Sequence, residues 1–276
     1  RTELVDTDDG ARLAVHVGGQ GRPVLFLAGL GHASWSWERQ VGFFRSSYRT
    51  VCLDNRGTGE SVGLGREVTV PRMARDAAEV LDRLDDHGPA HVVGASMGGY
   101  VAATLAAERP ELVASLTLIA SSIGGPDAQG VPAETTELWA TAANLSAEEF
   151  AVTTMPIAFR PGWTRDNPHE FQRLLDARRA RPTPAPVWRA QFEACEAYLT
   201  EGVDPKDLGG MPTLVIHGTA DSVVPYPNAE LTAARLPAVL LRTLPGAGHL
   251  CWIEEDAAVN QCMLDFFRDV ERERNP

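Results

Sequence analysis

A serine lies between two glycines where a predicted strand gives way to a predicted helix. The run G-A-S-M-G at 94–98 follows an apolar stretch at 90–95 and precedes helix-forming residues at 101–109. A turn this tight strains the backbone of Ser96, and glycine is needed wherever a Cβ would meet the neighbouring strand or helix. The pattern is the sequence form of a nucleophile elbow, which presents a serine hydroxyl beside the unpaired N–H groups of a helix.

A serine hydroxyl needs a base, and the base needs a carboxylate that orients it. Asp221 follows a predicted strand at 213–217, and His249 follows another at 239–244. Catalytic groups of open parallel sheets gather beyond the carboxyl ends of the strands. We therefore expect Ser96, Asp221 and His249 to converge, although they lie far apart in the chain.

Other acidic and histidine residues are expected to be structural. Asp204 and Asp207 are less well placed than Asp221 to orient a histidine, and Asp54 and Arg56 are expected to stabilise a turn. Carboxylates near the start of the last helix suit the positive end of its dipole, and the residues expected there are Glu254 and Asp256. Five histidines show no positioned partner and are expected to be structural or surface residues: His16, His87, His91, His169 and His217.

Strand and helix patterns alternate along most of the chain. An opening hairpin is predicted around Asp9 and Gly10. Further strands are predicted at 23–27, 51–54, 90–95, 113–120, 213–217 and 239–244, and helices at 70–86, 97–109 and 256–272. This alternation predicts an α/β fold whose mostly parallel sheet carries helices on both faces.

The alternation stops between 123 and 210, where proline, aromatic residues and helical stretches occur without a strand pattern. We interpret this stretch as a helical lid inserted into a core domain formed by residues 1–122 and 211–276. The run R-P-T-P-A-P at 181–186 predicts a stiff connector within the lid.

Composition bounds the class of protein. The chain has 276 residues, of which 44% are hydrophobic, so one large domain with an insertion is expected. The net charge of −12 argues against nucleic acid or an anionic membrane as a partner and favours a neutral or weakly polar small molecule. No run approaches the roughly 18 apolar residues of a membrane span. We expect a cytoplasmic monomer or weak homodimer, although a leader removed before Arg1 stays open.

No cofactor or metal is expected. The four cysteines form no C-x-x-C pair and lack the histidine spacing of a zinc site. They are Cys52, Cys195, Cys251 and Cys262. The glycines at 57 and 59 lack the rest of a dinucleotide-binding fingerprint.

Four motifs, in chain order, resemble those of cofactor-free, lid-bearing α/β-hydrolases, a family that includes esterases, lactonases and carbon–carbon bond hydrolases. The motifs are D-N-R-G-T-G-E-S at 54–61, G-A-S-M-G at 94–98, H-G-T-A-D at 217–221 and G-A-G-H at 246–249. The resemblance covers nearly the whole chain. It implies an oxyanion hole formed by the backbone N–H groups of Leu30 and Met97, which would stabilise a developing alkoxide.

The first buried strand departs from the pattern of many relatives. They carry His-Gly at its end, whereas this chain carries Ala28 and Gly29, with His32 three residues further on. The oxyanion donor is a backbone group, so this departure does not remove it. It does leave open the conformation of the loop, and His32 could face the substrate.

The substrate pocket is expected to be apolar and aromatic. Trp35 follows the oxyanion loop, Trp139 and Trp163 lie in the lid, and Trp252 lies three residues after His249. Most other aromatic residues of the lid are expected to form its core, because a lid helix must bury one face.

The expected activity is hydrolysis of an ester or lactone through an acyl-enzyme on Ser96. Relatives that act on haloalkanes or epoxides carry an aspartate at this position, so the serine favours acyl chemistry. Three alternatives stay open: a carbon–carbon bond hydrolase, a cofactor-free lyase or elimination enzyme of natural-product metabolism, and a receptor-like binding protein. A cofactor-free haloperoxidase side activity is also compatible with the three residues.

Overall fold

Eight strands form one sheet in the computed structural model, which describes residues 1–65, 67–84 and 88–274. The strands are β1 (Thr2–Asp6), β2 (Arg12–Gly18), β3 (Pro23–Leu27), β4 (Arg49–Leu53), β5 (Ala90–Ala95), β6 (Val113–Ile119), β7 (Thr213–Gly218) and β8 (Val239–Leu244). Their order in the sheet is β1-β2-β4-β3-β5-β6-β7-β8. β2 pairs antiparallel with β1 and β4, and all other pairs are parallel. The predicted mostly parallel sheet is confirmed.

Neighbouring residues of β3 belong to two different hydrophobic cores. Leu25 and Leu27 pack in one core, whereas Val24 and Phe26 pack in the other. All four are fully buried. A strand buried on both faces is typical of a parallel sheet covered by helices, and its continuous apolar sequence follows from that burial.

Helices cover both faces of the sheet. They are α1 (Glu38–Phe44), α2 (Val70–Asp82), α3 (Met97–Glu108), α4 (Ala133–Ala142), α5 (Ala147–Thr154), α6 (Trp163–Asp166), α7 (Pro168–Ala180), α8 (Ala185–Glu201), α9 (Pro227–Arg235), α10 (Cys251–Glu254) and α11 (Asp256–Arg274). Residues of α2 and α3 join the core that contains Leu25. Residues of α1 and α11 join the core that contains Phe26.

α2 ends earlier than the sequence predicts. Thr69 caps its start by accepting a hydrogen bond from the N–H of Arg72 at 3.2 Å. Its end tightens where the N–H of Leu84 donates to Leu81 O at 3.0 Å, a three-residue step that often closes a helix. The last two residues of the predicted helix, 85 and 86, lie outside the described residues.

The stretch between β6 and β7 is helical. It contains α4 to α8, and no strand occurs between residues 120 and 212, all of which are described. Its two ends are joined: the N–H of Val203 donates to Ile123 O at 2.8 Å, and the N–H of Gly125 donates to Leu199 O at 3.0 Å. The insertion therefore leaves and rejoins the sheet domain at one place.

Among the described residues, no helix combines the length and the apolar character that a bilayer crossing requires.

Candidate active site

Ser96 occupies a turn between β5 and α3 with φ 52° and ψ −123°. This positive φ is unusual for a residue with a side chain. The N–H of Ser96 donates to Ile119 O at 2.9 Å, and its carbonyl accepts from the Gly99 N–H and from Ser121 Oγ, each at 2.8 Å. The surrounding backbone thus holds the serine in its strained conformation.

Two glycines make this turn sterically possible. A Cβ on Gly94 would lie 2.1 Å from Gly98 O, and a Cβ on Gly98 would lie 2.0 Å from Leu27 O. Both distances are far below van der Waals contact, and both involve backbone atoms that cannot move independently. The strand, the turn and the helix can therefore pack only if both positions lack a side chain.

Asp221 and His249 form a buried hydrogen-bonded pair beyond the ends of β7 and β8. Asp221 Oδ2 lies 2.9 Å from His249 Nδ1. The other oxygen, Oδ1, accepts from the N–H groups of Val223 at 2.8 Å and Val224 at 2.9 Å. The carboxylate engages Nδ1 and so leaves the Nε2 nitrogen of His249 available as a base.

A second histidine shares the same carboxylate oxygen. His217 Nε2 lies 3.1 Å from Asp221 Oδ2 and 2.9 Å from Val224 O. Both neighbours are acceptors, so this nitrogen carries the proton. Burial raises the pKa of Asp221, but the attraction of His249 and the hydrogen bonds from both histidines outweigh it and hold the pKa below its usual value.

Ser96 lies where two cavities meet. The first cavity, of about 70 Å³, is also lined by His249. The second, of about 330 Å³, is lined by Ser96 together with residues of the insertion and of α3. No hydrogen bond joins the Ser96 hydroxyl to His249 within the described residues, although the two groups line the same cavity.

Most residues that line the two cavities are apolar. The first is lined by Gly29, Leu30, His32, Ser96, Trp139, Phe150, Thr154, Met155, Ile157, Ala158, Arg178, Trp188, Val223, His249 and Trp252. The second is lined by Leu30, Ser96, Tyr100, Gly125, Pro126, Ala128, Gly130, Val131, Thr136, Trp139, Phe192, Cys195, Glu196, Leu199, Thr200, Val223 and Val224.

The loop after β3 passes close to the serine. A Cβ on Gly29 would lie 3.1 Å from Ser96 Cβ, and Leu30 lines both cavities. Met97 is the first residue of α3, where helix N–H groups have no intrahelical acceptor. The loop that contains Leu30 thus lies near Ser96 in space, and Met97 follows Ser96 directly in the sequence.

The insertion holds the same loop from the other side. The N–H of Gly31 donates to Gln191 Oε1 at 2.9 Å, and Thr183 Oγ1 donates to Gly31 O at 3.0 Å. Both partners lie in the insertion, Gln191 on α8 and Thr183 just before it. The conformation of this loop therefore depends on the insertion as well as on the sheet.

Comparison with known proteins identifies the family. The sequence model of the family described as the alpha/beta hydrolase fold matches residues 22–256. This chain belongs to the α/β-hydrolase family. The fold and the family expected from the motifs are both confirmed, and the chain is an enzyme of the hydrolase class.

Individual relatives of this α/β-hydrolase differ in their named activities. One relative is BpoC of Mycobacterium tuberculosis (strain ATCC 25618 / H37Rv), which is provisionally named a non-heme bromoperoxidase. It is 33% identical to this chain over 267 residues, which cover 94% of this chain and 98% of BpoC. RutD of Variovorax paradoxus (strain S110), provisionally named a carbamate hydrolase, is 30% identical over 261 residues, covering 93% and 95%. A thermophilic esterase from Thermogutta terrifontis superposes with a TM-score of 0.78 at 26% identity, covering 98% and 99%.

Three of the five residues expected at the substrate pocket line the first cavity of this α/β-hydrolase: His32, Trp139 and Trp252. The other two do not line either cavity that contains Ser96. Trp163 stacks on Phe159 with ring centroids 4.1 Å apart and is buried in a hydrophobic core. Trp35 contacts the His32 ring at 5.0 Å, so it supports a lining residue instead of lining the cavity itself.

The expectation that five histidines lack partners is wrong for three of them. Besides His217, His16 lies 3.0 Å from Asp54 Oδ2, and His91 lies 2.7 Å from Ser115 Oγ. The spacing of His217 in H-G-T-A-D, four residues before Asp221, was the one available signal for its contact. His169 is exposed, and His87 lies outside the described residues.

The remaining acidic residues fall mainly where the sequence suggests. Asp54 is buried, and Arg56 is fully buried and pairs with Asp9 and Asp76, so this turn is structural. Asp204 and Asp207 are exposed and do not line either cavity that contains Ser96.

Glu254 differs from its expected role at the start of the last helix. That helix, α11, begins at Asp256. Glu254 Oε1 instead accepts from the N–H groups of Gly248 and Arg160, each at 3.0 Å. Burial, opposed in part by these hydrogen bonds, raises the pKa of Glu254 to about 7. The carboxyl ties the loop before His249 to the insertion.

Metal-ligating side chains do not cluster in the part of the chain that the structure describes. No group of three or more His, Cys, Asp or Glu residues there could hold a metal ion.

Proposed function

We propose that this α/β-hydrolase cleaves an ester or lactone of a small, largely apolar molecule through an acyl-enzyme on Ser96. The observation that carries the proposal is the pairing of Asp221 with His249 Nδ1 at the same cavity as a strained serine. A strained nucleophile beside an oriented base is the arrangement that acyl transfer requires. The esterase from Thermogutta terrifontis supports the same chemistry.

In the proposed reaction, Ser96 Oγ attacks the carbonyl carbon while His249 Nε2 takes the hydroxyl proton. Asp221 stabilises the imidazolium, and the N–H groups of Leu30 and Met97 donate to the developing alkoxide. His249 then returns the proton to the leaving alcohol. Water, deprotonated by His249, attacks the acyl-enzyme, and His249 gives that proton to Ser96 Oγ as the acid is released.

We propose that residues 123–210 act as the lid of this site, and that residues 1–122 and 211–276 form the core. Trp139 of the insertion lines both cavities that contain Ser96. The apolar part of the substrate would occupy the larger cavity, among Tyr100, Phe192 and Leu199. These apolar walls would limit the access of water to the reacting carbonyl.

A haloperoxidase-type side reaction is the second candidate, favoured by the name of BpoC. Carbon–carbon bond cleavage, elimination and simple ligand binding would use the same residues, with Ser96 contributing less in the last two. The four cysteines are free, which supports a cytoplasmic location, where thiols stay reduced. We propose a monomer or weak homodimer.

Labelling with a neutral fluorophosphonate tests the proposal, because this reagent phosphonylates activated serines without needing the correct acyl group. We expect one adduct on Ser96 by peptide mapping, and none in Ser96→Ala. His249→Ala should slow labelling by at least about a hundredfold, since general-base assistance contributes that much or more. His169→Ala, which removes an exposed histidine, should label at the wild-type rate. Folded wild-type protein that forms no adduct would contradict the proposal.

A further inference from the structure

Arg178 is a cation without a partner in the cavity that contains Ser96. It lies in the last turn of α7 and lines the first cavity together with His32, Ser96 and His249. No hydrogen bond or ion pair joins its guanidinium to another residue of the described chain. None of the residues that line this cavity is a carboxylate.

The two arginines that are buried among the described residues, Arg56 and Arg72, are matched by acids. Arg179, the next residue along α7 after Arg178, pairs with Glu148 at 2.9 Å and Asp176 at 3.2 Å. Arg178 thus differs from the buried arginines and from its neighbour in having no counter-charge.

Burial alone lowers the pKa of Arg178, to about 10, so the guanidinium stays charged at neutral pH. Arg178 is partly buried, and a partly desolvated charge without a counter-ion costs free energy. A guanidinium is best matched by a carboxylate, whose two oxygens accept two parallel N–H donors. Since no carboxylate of the cavity lining pairs with Arg178, a carboxylate on a bound ligand could fill this place.

A second polar group without a partner lies at the same cavity. His32 Nδ1 is buried and has no hydrogen-bond partner among the described residues. Burial, then the nearby charges of Arg178 and His249, lower the pKa of His32 well below its usual value. The ring is therefore neutral at pH 7, and it can donate one hydrogen bond without adding charge.

We propose that the substrate carries a free carboxylate, which binds Arg178 and His32 in the first cavity while its scissile carbonyl lies at Ser96. The small volume of this cavity, about 70 Å³, suits a short acidic arm, and the apolar remainder would lie in the larger cavity. This inference rests on the proposed function and narrows its substrate to acidic esters or lactones. It revises the expectation of a neutral or weakly polar substrate.

Two matched pairs of esters test the inference. In one pair the carboxylate is on the acyl group: the 4-nitrophenyl ester of hydrogen adipate against that of methyl adipate. In the other it is on the alcohol: 3-butyryloxypropanoate against its methyl ester. The measured quantity is the ratio of kcat/KM for the charged ester to that for the neutral ester.

In the wild type, at least one pair should favour the charged ester. Arg178→Gln should lower that ratio about tenfold or more, as expected for a lost charge-assisted bidentate contact. Arg178→Lys, which keeps the charge but not the planar fork, should give an intermediate ratio. Arg179→Gln removes the adjacent, paired cation and should leave the ratio as in the wild type. Comparing Arg178→Gln with Arg179→Gln distinguishes the loss of a direct contact between Arg178 and the substrate carboxylate from a general loss of positive charge.

Binding without turnover gives an independent readout. Addition of adipate should raise the Tm of Ser96→Ala and leave that of the Ser96→Ala/Arg178→Gln double variant unchanged, because a ligand stabilises only the protein that binds it. Arg178→Gln alone should have a Tm equal to or slightly higher than that of the wild type, since an unpaired and partly buried charge is removed.

Equal ratios in wild type and Arg178→Gln for both pairs, with Ser96 still labelled by the neutral fluorophosphonate, would overturn the inference and leave the proposed function intact. Failure of the wild type to label would instead overturn the proposed function. In that case the adipate-dependent Tm shift alone decides whether Arg178 binds carboxylates.

Discussion

The turn at Ser96 is determined by residues that have no side chain. Gly94 and Gly98 leave room for backbone atoms that approach within about 2 Å of where a Cβ would stand. The strain of the serine is tolerated because hydrogen bonds from two flanking elements fix its backbone. The position of the hydroxyl is therefore a property of packing, and the serine itself contributes only the reactive group.

We predict that Gly98→Ala destabilises the protein by about 3 kcal/mol or more, because the new Cβ would collide with Leu27 O. Urea unfolding monitored by circular dichroism measures this change. Gly42→Ala is the control: Gly42 lies within α1 with no atom within 4 Å of its new Cβ, so it should be neutral or stabilising by about 0.5–1 kcal/mol. A mild effect at Gly98 would mean that the elbow is less tightly packed than described.

Asp221 holds two histidines at one oxygen, and this sharing leads to a second prediction. Asp221→Asn should lower kcat/KM for a 4-nitrophenyl ester by roughly 10³–10⁴-fold, because an amide cannot stabilise the imidazolium or fix the proton on His249 Nδ1. Asp207→Asn, an exposed substitution, should have no effect on this rate. Retention of wild-type activity in Asp221→Asn would remove Asp221 from the mechanism.

Residue types and strand ends predict three candidate side chains. The structure joins Asp221 to His249 and places His249 and Ser96 at one cavity. The motifs supply a candidate nucleophile, a candidate carboxylate and a candidate base, each at the end of a strand. The shared hydrogen bond of His217 and the buried position of Glu254 could not be predicted, because they depend on which way a loop side chain turns. Arg178 had no signal at all in a chain with 24 other arginine or lysine residues.

At the scale of elements, the short helix α10 connects the catalytic loop to the insertion. Its last residue, Glu254, accepts hydrogen bonds from Gly248, next to His249, and from Arg160 of the insertion. The carboxyl side chain is fully buried. One ionisable group therefore holds together the loop before His249 and a segment that lies 94 residues from Glu254 in the chain.

The raised pKa of Glu254 predicts a pH-dependent contribution to stability. The folded protein holds this proton up to about pH 7, whereas the unfolded chain loses it near 4.5. The contribution is full below the unfolded value and is lost as pH rises through 7. Glu254→Gln should therefore gain roughly 1–3 kcal/mol relative to the wild type between pH 5 and pH 8.

Urea unfolding of both proteins across this range measures the difference. Glu273→Gln, at an exposed position of α11, should show no such change with pH. Parallel curves for wild type and Glu254→Gln would contradict the raised pKa.

Elements with strong periodicity were predictable, and short ones were not. The buried runs of β3, β5 and β6 and the capped start of α2 carry their own signals. α1 and α9 have seven and nine residues, too few for a periodic pattern to stand out. The early end of α2 depends on a local tightening that composition does not encode.

At the scale of the whole molecule, alternation of strand and helix patterns predicted the sheet and its mostly parallel character, and its interruption matches the helical stretch between β6 and β7. The sequence could not say which aromatic residues of the insertion face the serine. Trp139 lines the cavity and Trp163 packs on Phe159, although both are tryptophans on helices. That choice is made by how helices pack on one another, which a single sequence does not state.

The joined ends of the insertion have a consequence for how this molecule can change. Ile123, which follows β6, and Val203, which precedes β7, are linked by one hydrogen bond of 2.8 Å. The chain therefore enters and leaves the helical stretch at adjacent residues. A segment of different length could therefore leave and rejoin the sheet at the same place. It would also have to restore the contacts of Gln191 and Thr183 with Gly31 and of Arg160 with Glu254, because these hold the loop after β3 and the loop before His249. Changes in substrate choice are thus constrained by the same contacts that shape the candidate site.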